Sequence, residues 1–505
     1  MDTNPISTED MRILELNAEY LGVTHSTLML NAGREVARVI TDTYDVKEKH
    51  VVILCGLGGN GGDGIVAARY LDEIGADVDV FLLGPEIKIK NTDTLANWEI
   101  LKNLLGITSL ELVTETDVKS CKAIGDADVL VDGIMGFGLR SKLREPLLTA
   151  VKMINKSSAA KYSIDIPSGI DSETGKVHGV AVKADHTIAL HAPKVGMTKN
   201  PEYAGKVHVV SIGIPKETSF IVGPGDLRRF DQPRPLYSRK GDFGKILIVG
   251  GSDVYSGAPA LSGMAALRTG ADLVSILAPE PVVPAIRAYS PNLMVASLGT
   301  QILTSESIDQ VLDYASQNDV VALGPGLGVD QQTRLAVLTI VEQLMKKKNS
   351  LVIDADGLKA IAASSILLDP ERCVLTPHWG ELEILMGQKL GDALSLQNRI
   401  DQARSCARKY NSVILLKGPV DVIAHPEGMF KLNREGAPAM TVGGTGDVLT
   451  GITAGLLGQH GTAFQVATAA AFISGNAGEL AFDQRGDHIV ATDCIENIHR
   501  VFDQW

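Results

Sequence analysis

Short apolar runs alternate with helix-like stretches along this chain of 505 residues, and no other feature restricts the fold as much. The run "HVVILC" (50–55), for example, leads into a glycine-rich turn and then into the helix-like "DGIVAARYLDEIG" (63–75). Strands that are apolar on both faces are typical of parallel sheets covered by helices on each side. The pattern therefore predicts an α/β protein.

The alternation runs through two series, which are separated by a stretch rich in Pro, Gly and charged residues. This stretch (223–245) has no apolar periodicity and is typical of a linker with an entry loop. A chain of this length also exceeds one ordinary hydrophobic core. We therefore expect two three-layer α/β domains, one over 1–218 and one over 226–505, with a linker over 219–240.

The composition argues against several classes of function. The net charge of −13 argues against a nucleic-acid surface, because phosphate backbones attract basic proteins. No apolar run reaches the roughly 18 residues of a membrane helix, and the first residues lack the pattern of a signal peptide. The five cysteines are scattered and form no CxxC pair, which is typical of reduced thiols. We expect a cytoplasmic protein that binds neither nucleic acid nor membrane.

A glycine-rich motif in the second half, "VGGTGDVLTG" (442–451), leads into an apolar, helix-competent run. Glycines let backbone amides approach an anion closely, and a following helix turns its positive N-terminal end towards that anion. Asp447 lies where the loop becomes helix, which suits a base for phosphoryl transfer to a hydroxyl. The alternative is an aspartate that merely caps the helix.

Four further motifs of the second half follow predicted strands, and parallel sheets bind ligands beyond the carboxyl ends of their strands. They are "GPGLG" (324–328), "IDADG" (353–357), "TPHWGE" (376–381) and "LLKGP" (415–419). Each also has a structural alternative: His378 as a surface residue, Glu381 as part of a capping box, and Lys417 as a solvated lysine. Because the motifs converge on one sheet edge, we interpret them as one site.

Three motifs of the first half have the same placement: "GLGGNGGDG" (56–64), "DGIMGFGLR" (132–140) and "IDIPSGID" (164–171). The first follows a strand and opens a helix, as a pyrophosphate-binding turn does in a dinucleotide fold. Asn60, Asp132 and Ser168 are oxygen donors at strand ends, which suits a hard cation. Asp132 and Asp165 are candidate acid–base groups, whereas Asn60 and Asp63 have a simpler reading as turn formers.

The motifs of the second half, in this order and spacing, resemble those of the ribokinase-like ADP/ATP-dependent NAD(P)H-hydrate dehydratases, over essentially all of 226–505. That family usually reads HPGE where this chain has "HWGE" (378–381), and GNPGMATGGTGD where it has "GAPAMTVGGTGD" (436–447). The resemblance implies a ribokinase-like sheet, Mg²⁺ with ADP as the phosphoryl donor, and removal of water from the S form of the hydrate.

The same resemblance implies a role for each candidate residue of the second half. Asp447 would accept the proton of the hydroxyl at C6 of the nicotinamide ring. The transferred phosphoryl group would be stabilised by the amides of Gly443, Gly444, Thr445 and Gly446. The expected nucleotide contacts are Lys417, Gly418 and Pro419. The expected contacts with the hydrate are Gly326, His378, Gly380 and Glu381.

The first half, over about 8–215, resembles the NAD(P)H-hydrate epimerase domain, which implies a Rossmann-like parallel sheet. The resemblance implies a K⁺ ion held by Asn60, Asp132 and Ser168. It also implies a site for the pyrophosphate and ring of the substrate, made by Asp165 and by Gly59, Asn60, Gly61, Gly62, Asp63, Gly136, Phe137, Gly138, Leu139 and Arg140. Asp165 is the candidate catalytic residue, and Lys194 is either its helper or a plain surface lysine.

Together the two halves resemble the fused bifunctional nicotinamide-nucleotide repair enzymes of bacteria and archaea. Such an enzyme would interconvert the R and S hydrates of NAD(P)H in its first domain and dehydrate the S hydrate in its second. We expect NAD(P)H hydrate and ADP as ligands, and a homo-oligomeric assembly. Two alternatives stay open: a small-molecule kinase of the thiazole or pyridoxine type, and a first half that is a non-catalytic binding module.

Overall fold

The computed structural model describes residues 4–138 and 142–504, so the candidate residues Leu139 and Arg140 lie outside the described part of the chain. The chain divides into two compact units, Met1–Lys216 and Glu217–Trp505. Each unit has its own sheet, and the two sheets have seven and nine strands.

The sheet of the first unit is parallel throughout, with the strand order β3-β2-β1-β4-β5-β6-β7. The order reverses direction between β1 and β4, which is where open α/β sheets form a crevice for ligands. The strands are β1 His50–Cys55, β2 Asp77–Leu82, β3 Ile107–Glu111, β4 Val129–Gly133, β5 Ala160–Ile164, β6 His186–Leu190 and β7 Lys206–Val210.

Helices cover both faces of this sheet, and alternate side chains of each strand point to opposite faces. In β1, for example, Val51 and Ile53 pack into one hydrophobic core, and Val52 and Leu54 pack into the other. The three-layer α/β architecture of the first unit is thereby confirmed. Its helices are α1 Thr8–Tyr20, α2 His25–Thr43, α3 Gly59–Ile74, α4 Thr92–Leu101, α5 Glu115–Ser120, α6 Ala123–Asp126, α7 Leu147–Lys156, α8 Val195–Thr198 and α9 Pro201–Ala204.

The sheet of the second unit has the order β10-β9-β8-β11-β12-β13-β14-β15-β16. Its pairs are parallel from β10 to β14, whereas β15 and β16 are antiparallel, and the order reverses between β8 and β11. The strands are β8 Lys245–Val249, β9 Leu273–Ala278, β10 Met294–Ser297, β11 Val320–Leu323, β12 Ser350–Ile353, β13 Cys373–Leu375, β14 Val413–Leu416, β15 Asp421–Ala424 and β16 Phe430–Asn433.

The helices of the second unit include two that are rich in small residues and mostly buried, α18 and α19. Small side chains let these helices approach the sheet and each other closely, which explains the Gly- and Ala-rich composition of this part of the chain. The helices are α10 Pro224–Leu227, α11 Gly257–Arg268, α12 Val283–Tyr289, α13 Ile308–Ser316, α14 Gln331–Leu344, α15 Asp356–Ile361, α16 Trp379–Met386, α17 Leu396–Tyr410, α18 Thr445–Leu457, α19 Ala463–Arg485 and α20 Ala491–Asp503.

The stretch predicted as a linker, 219–240, is only partly an open connection. Residues 231–240 are fully exposed and contain neither helix nor strand. Ahead of them, Val222 donates a backbone hydrogen bond to Leu432 of β16, and Leu432 donates one to Phe220. This pairing supplies partners for the open edge of the nine-stranded sheet, so the beginning of the predicted linker belongs structurally to the second unit.

No helix in the described ranges, 4–138 and 142–504, is long and apolar enough to cross a membrane. The cysteines at 55, 121, 373, 406 and 494 are all free thiols.

The crossing of α11 and α18 depends on Gly451. A Cβ atom at this position would lie 2.1 Å from the Ser262 carbonyl oxygen. We therefore expect Gly451→Ala to lower the free energy of unfolding by about 1–3 kcal/mol, as overpacking does, although Ala is normally the better helix former. Urea unfolding of the full chain measures the change.

The matched control is Gly257→Ala, in the first turn of α11, where a Cβ atom would meet nothing closer than the Tyr289 hydroxyl at 3.8 Å. This variant is expected to retain the wild-type stability. An unfolding midpoint for Gly451→Ala at or above that of Gly257→Ala would contradict the close-approach explanation.

Candidate active sites

The first site is a cavity of about 770 Å³ at the carboxyl ends of β1 and β4, where the strand order reverses. Its lining includes Asn60, Asp63 and Asp165, and the loop after β4 contributes Gly136 and Phe137. These candidate residues follow three different strands in the sequence, and the fold brings them together around one cavity. This placement follows from the parallel order of the strands.

The glycine-rich motif 56–64 forms the start of α3, with Gly58 as N-cap and Gly59 as the first helical residue. Gly59 lines the cavity, whereas Gly61 and Gly62 face packed structure. A Cβ atom on Gly61 would lie 1.9 Å from the Gly56 carbonyl oxygen. The motif therefore brings a helix N-terminus close to the sheet edge, which is the usual arrangement for binding a phosphate.

Asp132 lies behind the cavity, at the end of β4, and is almost fully buried. Its carboxylate accepts hydrogen bonds from the hydroxyls of Ser163 at 2.8 Å and Ser168 at 2.6 Å, and from the Ser168 amide at 2.9 Å. Burial raises the pKa of Asp132, although these hydrogen bonds oppose the shift. The carboxylate is thus held in a fixed orientation between two serines.

Asn60 contacts the loop that follows Asp132, because Cβ atoms built on Gly133 and Gly136 would lie 3.1 Å from its carbonyl oxygen and 3.4 Å from its Oδ1 atom. The Asn60 Nδ2 atom is buried and has no hydrogen-bond partner in the described part of the chain. An amide, a carboxylate and the Ser168 hydroxyl are oxygen ligands of the kind that a hard cation prefers. This set of oxygen ligands fits a monovalent cation. Groups of at least three His, Cys, Asp and Glu side chains arranged as a metal site do not occur among residues 4–138 and 142–504.

Asp165 is held by a buried lysine. Lys194 has no solvent exposure, and its Nζ atom donates to Asp165 Oδ1 at 2.5 Å and to the carbonyls of Leu190 and Ala192 at 3.0 Å. The reading of Lys194 as a surface lysine is therefore wrong, and the lysine that follows "HAP" is part of the site. The Asp165 Oδ2 atom is buried without a partner among the described residues.

The backbone at Asp165 adopts a φ of 64°, in the left-handed region that residues other than glycine rarely occupy. Such a conformation costs on the order of 1–3 kcal/mol and is found mostly at functional sites. It turns the carboxylate towards Lys194 and the cavity. The conformation supports a functional reading of Asp165 over an ordinary strand-end aspartate.

The second site lies at the carboxyl ends of β11 to β14, and an ion pair between Lys417 and Asp354 is at its centre. Lys417 Nζ is 2.9 Å from Asp354 Oδ1, and the Thr450 hydroxyl donates to Asp354 Oδ2 at 2.6 Å. Burial opposes ionisation of Asp354, but Lys417 and Thr450 outweigh it and lower its pKa. Burial likewise opposes the charge of Lys417, but Asp354 and Glu381 outweigh it and raise its pKa. Lys417 is therefore not a solvated lysine.

His378 and Glu381 form a capping box at the start of α16, as the structural alternative predicted. His378 Nδ1 accepts from the amides of Gly380 at 3.1 Å and Glu381 at 3.3 Å, and the His378 amide donates to Glu381 Oε2 at 2.9 Å. Capping does not exclude a second role, because the Glu381 carboxylate is also 3.9 Å from Lys417 Nζ. Burial raises the pKa of Glu381 despite this lysine.

Asp447 lies in the first turn of α18, and the N-cap of this helix is Gly444, with a φ of 97°. The reading of Asp447 as a simple capping residue is therefore wrong. The Thr445 hydroxyl donates to the Met440 carbonyl at 2.8 Å, which fixes the loop in front of the helix. Burial, and next the charge of Asp354, raise the pKa of Asp447 to about 7. A carboxyl group with this pKa exchanges protons readily at neutral pH.

The loop that contains Lys417, Gly418 and Pro419 is fixed by two residues that the sequence analysis missed, Arg399 and Asp421. Arg399 is 4% exposed, and its Nη2 atom donates to the Lys417 carbonyl at 3.1 Å. Asp421 Oδ1 accepts from the Gly418 amide at 2.9 Å. A Cβ atom on Gly418 would lie 2.1 Å from Arg399 Nη2, so only glycine fits above this guanidinium.

The motif 324–328 forms the turn after β11. Gly326 has a φ of 68°, and a Cβ atom there would lie 2.8 Å from Tyr255 Cβ. The Gly328 amide donates to Asp356 Oδ2 at 2.8 Å, and this bond joins the turn to the motif after β12. Ala355, between Asp354 and Asp356, has a left-handed φ of 49°. Neighbouring strand ends are thus tied together around the Lys417–Asp354 pair.

The fold and both sites place the chain among α/β proteins that bind phosphate-bearing ligands at glycine-rich helix starts. Comparison with known families gives two matches, one for each unit. Residues 246–500 match the family model described as NAD(P)H-hydrate dehydratase, and residues 25–196 match the model described as YjeF-related protein N-terminus.

Curated relatives match the full chain. The bifunctional NAD(P)H-hydrate repair enzyme Nnr of Methanothermobacter thermautotrophicus is 40% identical over 98% of this chain and 94% of its own length. The protein of the same name from Pyrobaculum aerophilum is 41% identical, over 98% and 97%. The chain therefore belongs to the family of bifunctional NAD(P)H-hydrate repair enzymes.

Two solved structures resemble the chain over a little more than half of its length. A hypothetical protein of Streptococcus mutans has a TM-score of 0.50 and 24% identity, and covers 56% of this chain and 99% of its own, which shows a shared fold. An ADP/ATP-dependent NAD(P)H-hydrate dehydratase of Bacillus subtilis, crystallised with ATP and Mg²⁺, has a TM-score of 0.47 and 28% identity, and covers 55% and 96%.

The Lys417–Asp354 pair is expected to be necessary for the stability of the second unit. In Lys417→Met, the Asp354 carboxylate, 2% exposed, would lose its counter-charge. Removing one member of a buried pair typically lowers the free energy of unfolding by about 3–5 kcal/mol. Because the folded-state pKa of Asp354 is lowered, its stabilising effect is present above the unfolded-state pKa and is lost as pH falls. The deficit of the variant should therefore be largest near neutral pH and smaller in acid.

Urea unfolding of both proteins at a series of pH values measures this deficit. The matched control is Lys389→Met, which removes an exposed lysine paired with Glu383. It should change stability little at any pH, because exposed ion pairs contribute little. Equal effects of the two substitutions would show that the Lys417 pair has no special structural role.

Proposed function

We propose that this protein repairs hydrated NAD(P)H: the first unit interconverts the R and S hydrates, and the second dehydrates the S hydrate to NAD(P)H with ADP as phosphoryl donor. The observation that carries the proposal is Asp447, whose pKa is raised to about 7 in the first turn of a helix that opens with a glycine loop. A base beside an anion-binding helix start is the arrangement that phosphoryl transfer to a hydroxyl needs.

In the second unit, Asp447 accepts the proton of the C6 hydroxyl as that oxygen attacks the terminal phosphate of the nucleotide. The amides of residues 443–446 stabilise negative charge on the transferred phosphoryl group. The lone pair of the ring nitrogen then expels phosphate from C6, and loss of the proton at C5 restores the double bond of NAD(P)H. The products are NAD(P)H, AMP and phosphate.

The remaining candidates of the second site bind the two substrates. Lys417, Gly418 and Pro419 contact the nucleotide, which Mg²⁺ accompanies. Gly326, His378, Gly380 and Glu381 hold the hydrate. The ion pair of Lys417 with Asp354 supports this assignment, because it keeps an ammonium group at a fixed place beside Gly446. ADP as the donor is the choice that the resemblance to the fused enzymes implies.

In the first unit, Asp165 acts on the hemiaminal at C6, where the hydroxyl and the ring nitrogen share one carbon. Lys194 holds the Asp165 carboxylate by a hydrogen bond and compensates its charge. The described members of 59–63 and 136–138 hold the pyrophosphate and ring. Asn60, Asp132 and Ser168 hold K⁺, which supplies positive charge next to this anion-binding region.

We also propose that the protein acts in the cytoplasm as a homo-oligomer. Free thiols at all five cysteine positions support a reducing compartment. Exposed apolar side chains at the open edge strand β3, among them Leu110 and the nearby Leu105 and Val113, support a contact between copies. Light scattering of the purified chain measures the assembly.

Asp447→Asn tests the base. It should lower kcat for ADP-dependent recovery of NADH absorbance by about 10²–10⁴-fold, the usual contribution of a general base, while epimerisation in the first unit stays unchanged. Wild-type recovery by this variant would remove Asp447 from the reaction. In parallel, products are identified with ADP and with ATP. A phosphorylated alcohol that accumulates in place of inorganic phosphate would show a small-molecule kinase and contradict the repair function.

The pH dependence of the dehydration tests the same residue independently. A base must be deprotonated to act, so kcat/KM should fall as pH drops below about 7. Lys417 lowers the pKa of Asp447, so this fall should begin at a higher pH in Lys417→Met. The Lys389→Met control should keep the wild-type profile. If kcat/KM of Lys417→Met falls at the same pH as that of the wild type, the group whose protonation causes the fall is not Asp447.

A further inference from the structure

The cavity of the first unit contains a carboxyl group that the proposed roles do not use, Glu15 of α1. This helix precedes the first strand and places Met11, Arg12 and Glu15 on one face, towards the cavity. Asp63 and Asp165 line the same cavity from the sheet side. Glu15 therefore lies opposite the candidate catalytic aspartate, on an element that contains no glycine-rich motif.

Glu15 has no structural partner that explains its position. In the described ranges, 4–138 and 142–504, its side chain makes neither a hydrogen bond nor an ion pair, whereas Glu19 of the same helix pairs with His25 at 3.2 Å. Burial, and next the charge of Asp165, raise the pKa of Glu15 to about 7, and Lys194 and Arg12 oppose the shift. Near neutral pH the group is therefore partly protonated and partly ionised.

Asp165 complements this group. Its Oδ1 atom is bonded to the Lys194 ammonium, and its Oδ2 atom is buried without a partner among the described residues. One side of the cavity thus holds a carboxylate paired with a fixed positive charge, and the other side holds a carboxyl group that readily carries a proton. Pairs of titratable groups in such different environments are typical of an acid and a base acting together.

We propose that Glu15 is the second catalytic residue of the first unit and acts with Asp165 to open and close the hemiaminal ring of the hydrate. This inference rests on the proposed epimerase function of that unit. Ring opening needs a proton donor as well as a base. The Asp165 carboxylate supplies the base, and Glu15 supplies the donor.

The reaction needs two proton transfers. Asp165 takes the proton of the C6 hydroxyl, the oxygen electrons form a C6=O double bond, and the C6–N1 bond breaks towards N1. Glu15 gives its proton to N1, which leaves an open aldehyde. Rotation about the C5–C6 bond presents the other face of the carbonyl. On closure Glu15 takes the proton from N1 as N1 attacks C6, and Asp165 returns a proton to the oxygen. No atoms or electrons are gained or lost.

The other charged groups of the cavity fit the donor role less well. The Lys194 ammonium already donates to three oxygen atoms and has no solvent exposure. The Arg12 guanidinium does not release protons at accessible pH. Asp63 lies in the second turn of α3 and is 8% exposed, and burial raises its pKa well above its usual range. Glu15 is the carboxyl group of this set whose pKa is raised to about neutral.

The test compares Glu15→Gln with Glu19→Gln, the same chemical change on the solvent side of the same helix. Purified R hydrate is incubated with each full-length protein without nucleotide, and formation of S hydrate is followed by chromatography, with the rate without enzyme subtracted. Loss of a general acid should lower kcat by about 10²–10⁴-fold with little change in KM. Glu19→Gln should keep the wild-type values.

A pH profile distinguishes a catalytic role from a structural one. Glu15 must be protonated to open the ring, so wild-type kcat should fall as pH rises above about 7. The other titratable and charged groups that line the cavity are Arg12, His25, Asp63, Lys90, Asp93 and Asp165, and Lys194 contacts Asp165 from behind the lining. The residual activity of Glu15→Gln should lack this fall. A flat wild-type profile, a Glu15→Gln kcat within about threefold of wild type, or a change confined to KM would overturn the inference.

Dehydration of pure S hydrate with ADP, measured on the same samples, shows whether the second unit of each variant is intact. Circular dichroism shows whether Glu15→Gln is folded. If the wild-type protein itself does not convert R into S hydrate, the proposed epimerase function fails. If the wild type converts it and a folded Glu15→Gln does so equally well, only the role of Glu15 fails.

Discussion

In each unit a lysine ammonium is buried against an aspartate carboxylate at the carboxyl end of a parallel strand, and the surrounding site depends on that pair. Lys194 and Asp165 form it in the first unit, and Lys417 and Asp354 form it in the second. Taking either charge out of water alone would be very unfavourable, so the two must stay together and in one geometry. Left-handed backbone at Asp165 and at Ala355 accompanies both pairs, which indicates that the chain accepts local strain to keep the charges in place.

Each pair also sets the protonation of its neighbours. More carboxyl groups than cations surround each lysine, so at least one of them ionises with difficulty. In the first unit this group is Glu15, and in the second it is Asp447; burial, and next the charge of the paired aspartate, raise the pKa of both to about 7. A structural ion pair thereby produces a group that is suited to proton transfer at neutral pH. In each site the carboxyl group with the raised pKa is therefore a different residue from the carboxylate that the lysine pairs with.

The fold class and the central strands follow from apolar runs in the sequence, whereas the strands β3, β10 and β16 lack a continuous run of this kind. All three are the outermost strands in the order of their sheets; three of the five residues of β3 are exposed, and β10 contains no buried residue. Their sequences therefore lack the continuous apolar signal of a central strand. The glycine motifs, in contrast, identified both sites, because most of them directly follow the end of a strand in the sequence. Glu15 and Arg399 lie on helices, where charged side chains are usually solvated, and Asp421 lies at the start of a short strand, so no motif marks them. Only the fold shows that Arg399 is buried and that Glu15 and Asp421 are partly buried.

The two glycine-rich helix starts differ in the position of their aspartate along the helix. This difference affects whether the helix start can only bind a ligand or can also take part in a proton transfer. In α18 the aspartate at 447 is in the first turn, next to the free amides and beside Lys417, and its side chain is only partly buried. In α3 the aspartate at 63 is in the second turn and 8% exposed, and burial raises its pKa well above its usual range. The first position places the carboxylate in the turn that presents free amides to a bound group, whereas the second places it one turn further along the helix. The loop of the first unit is therefore suited to holding a phosphate while protons move elsewhere in the cavity, whereas the loop of the second unit is suited to holding a phosphate and reacting with what attacks it.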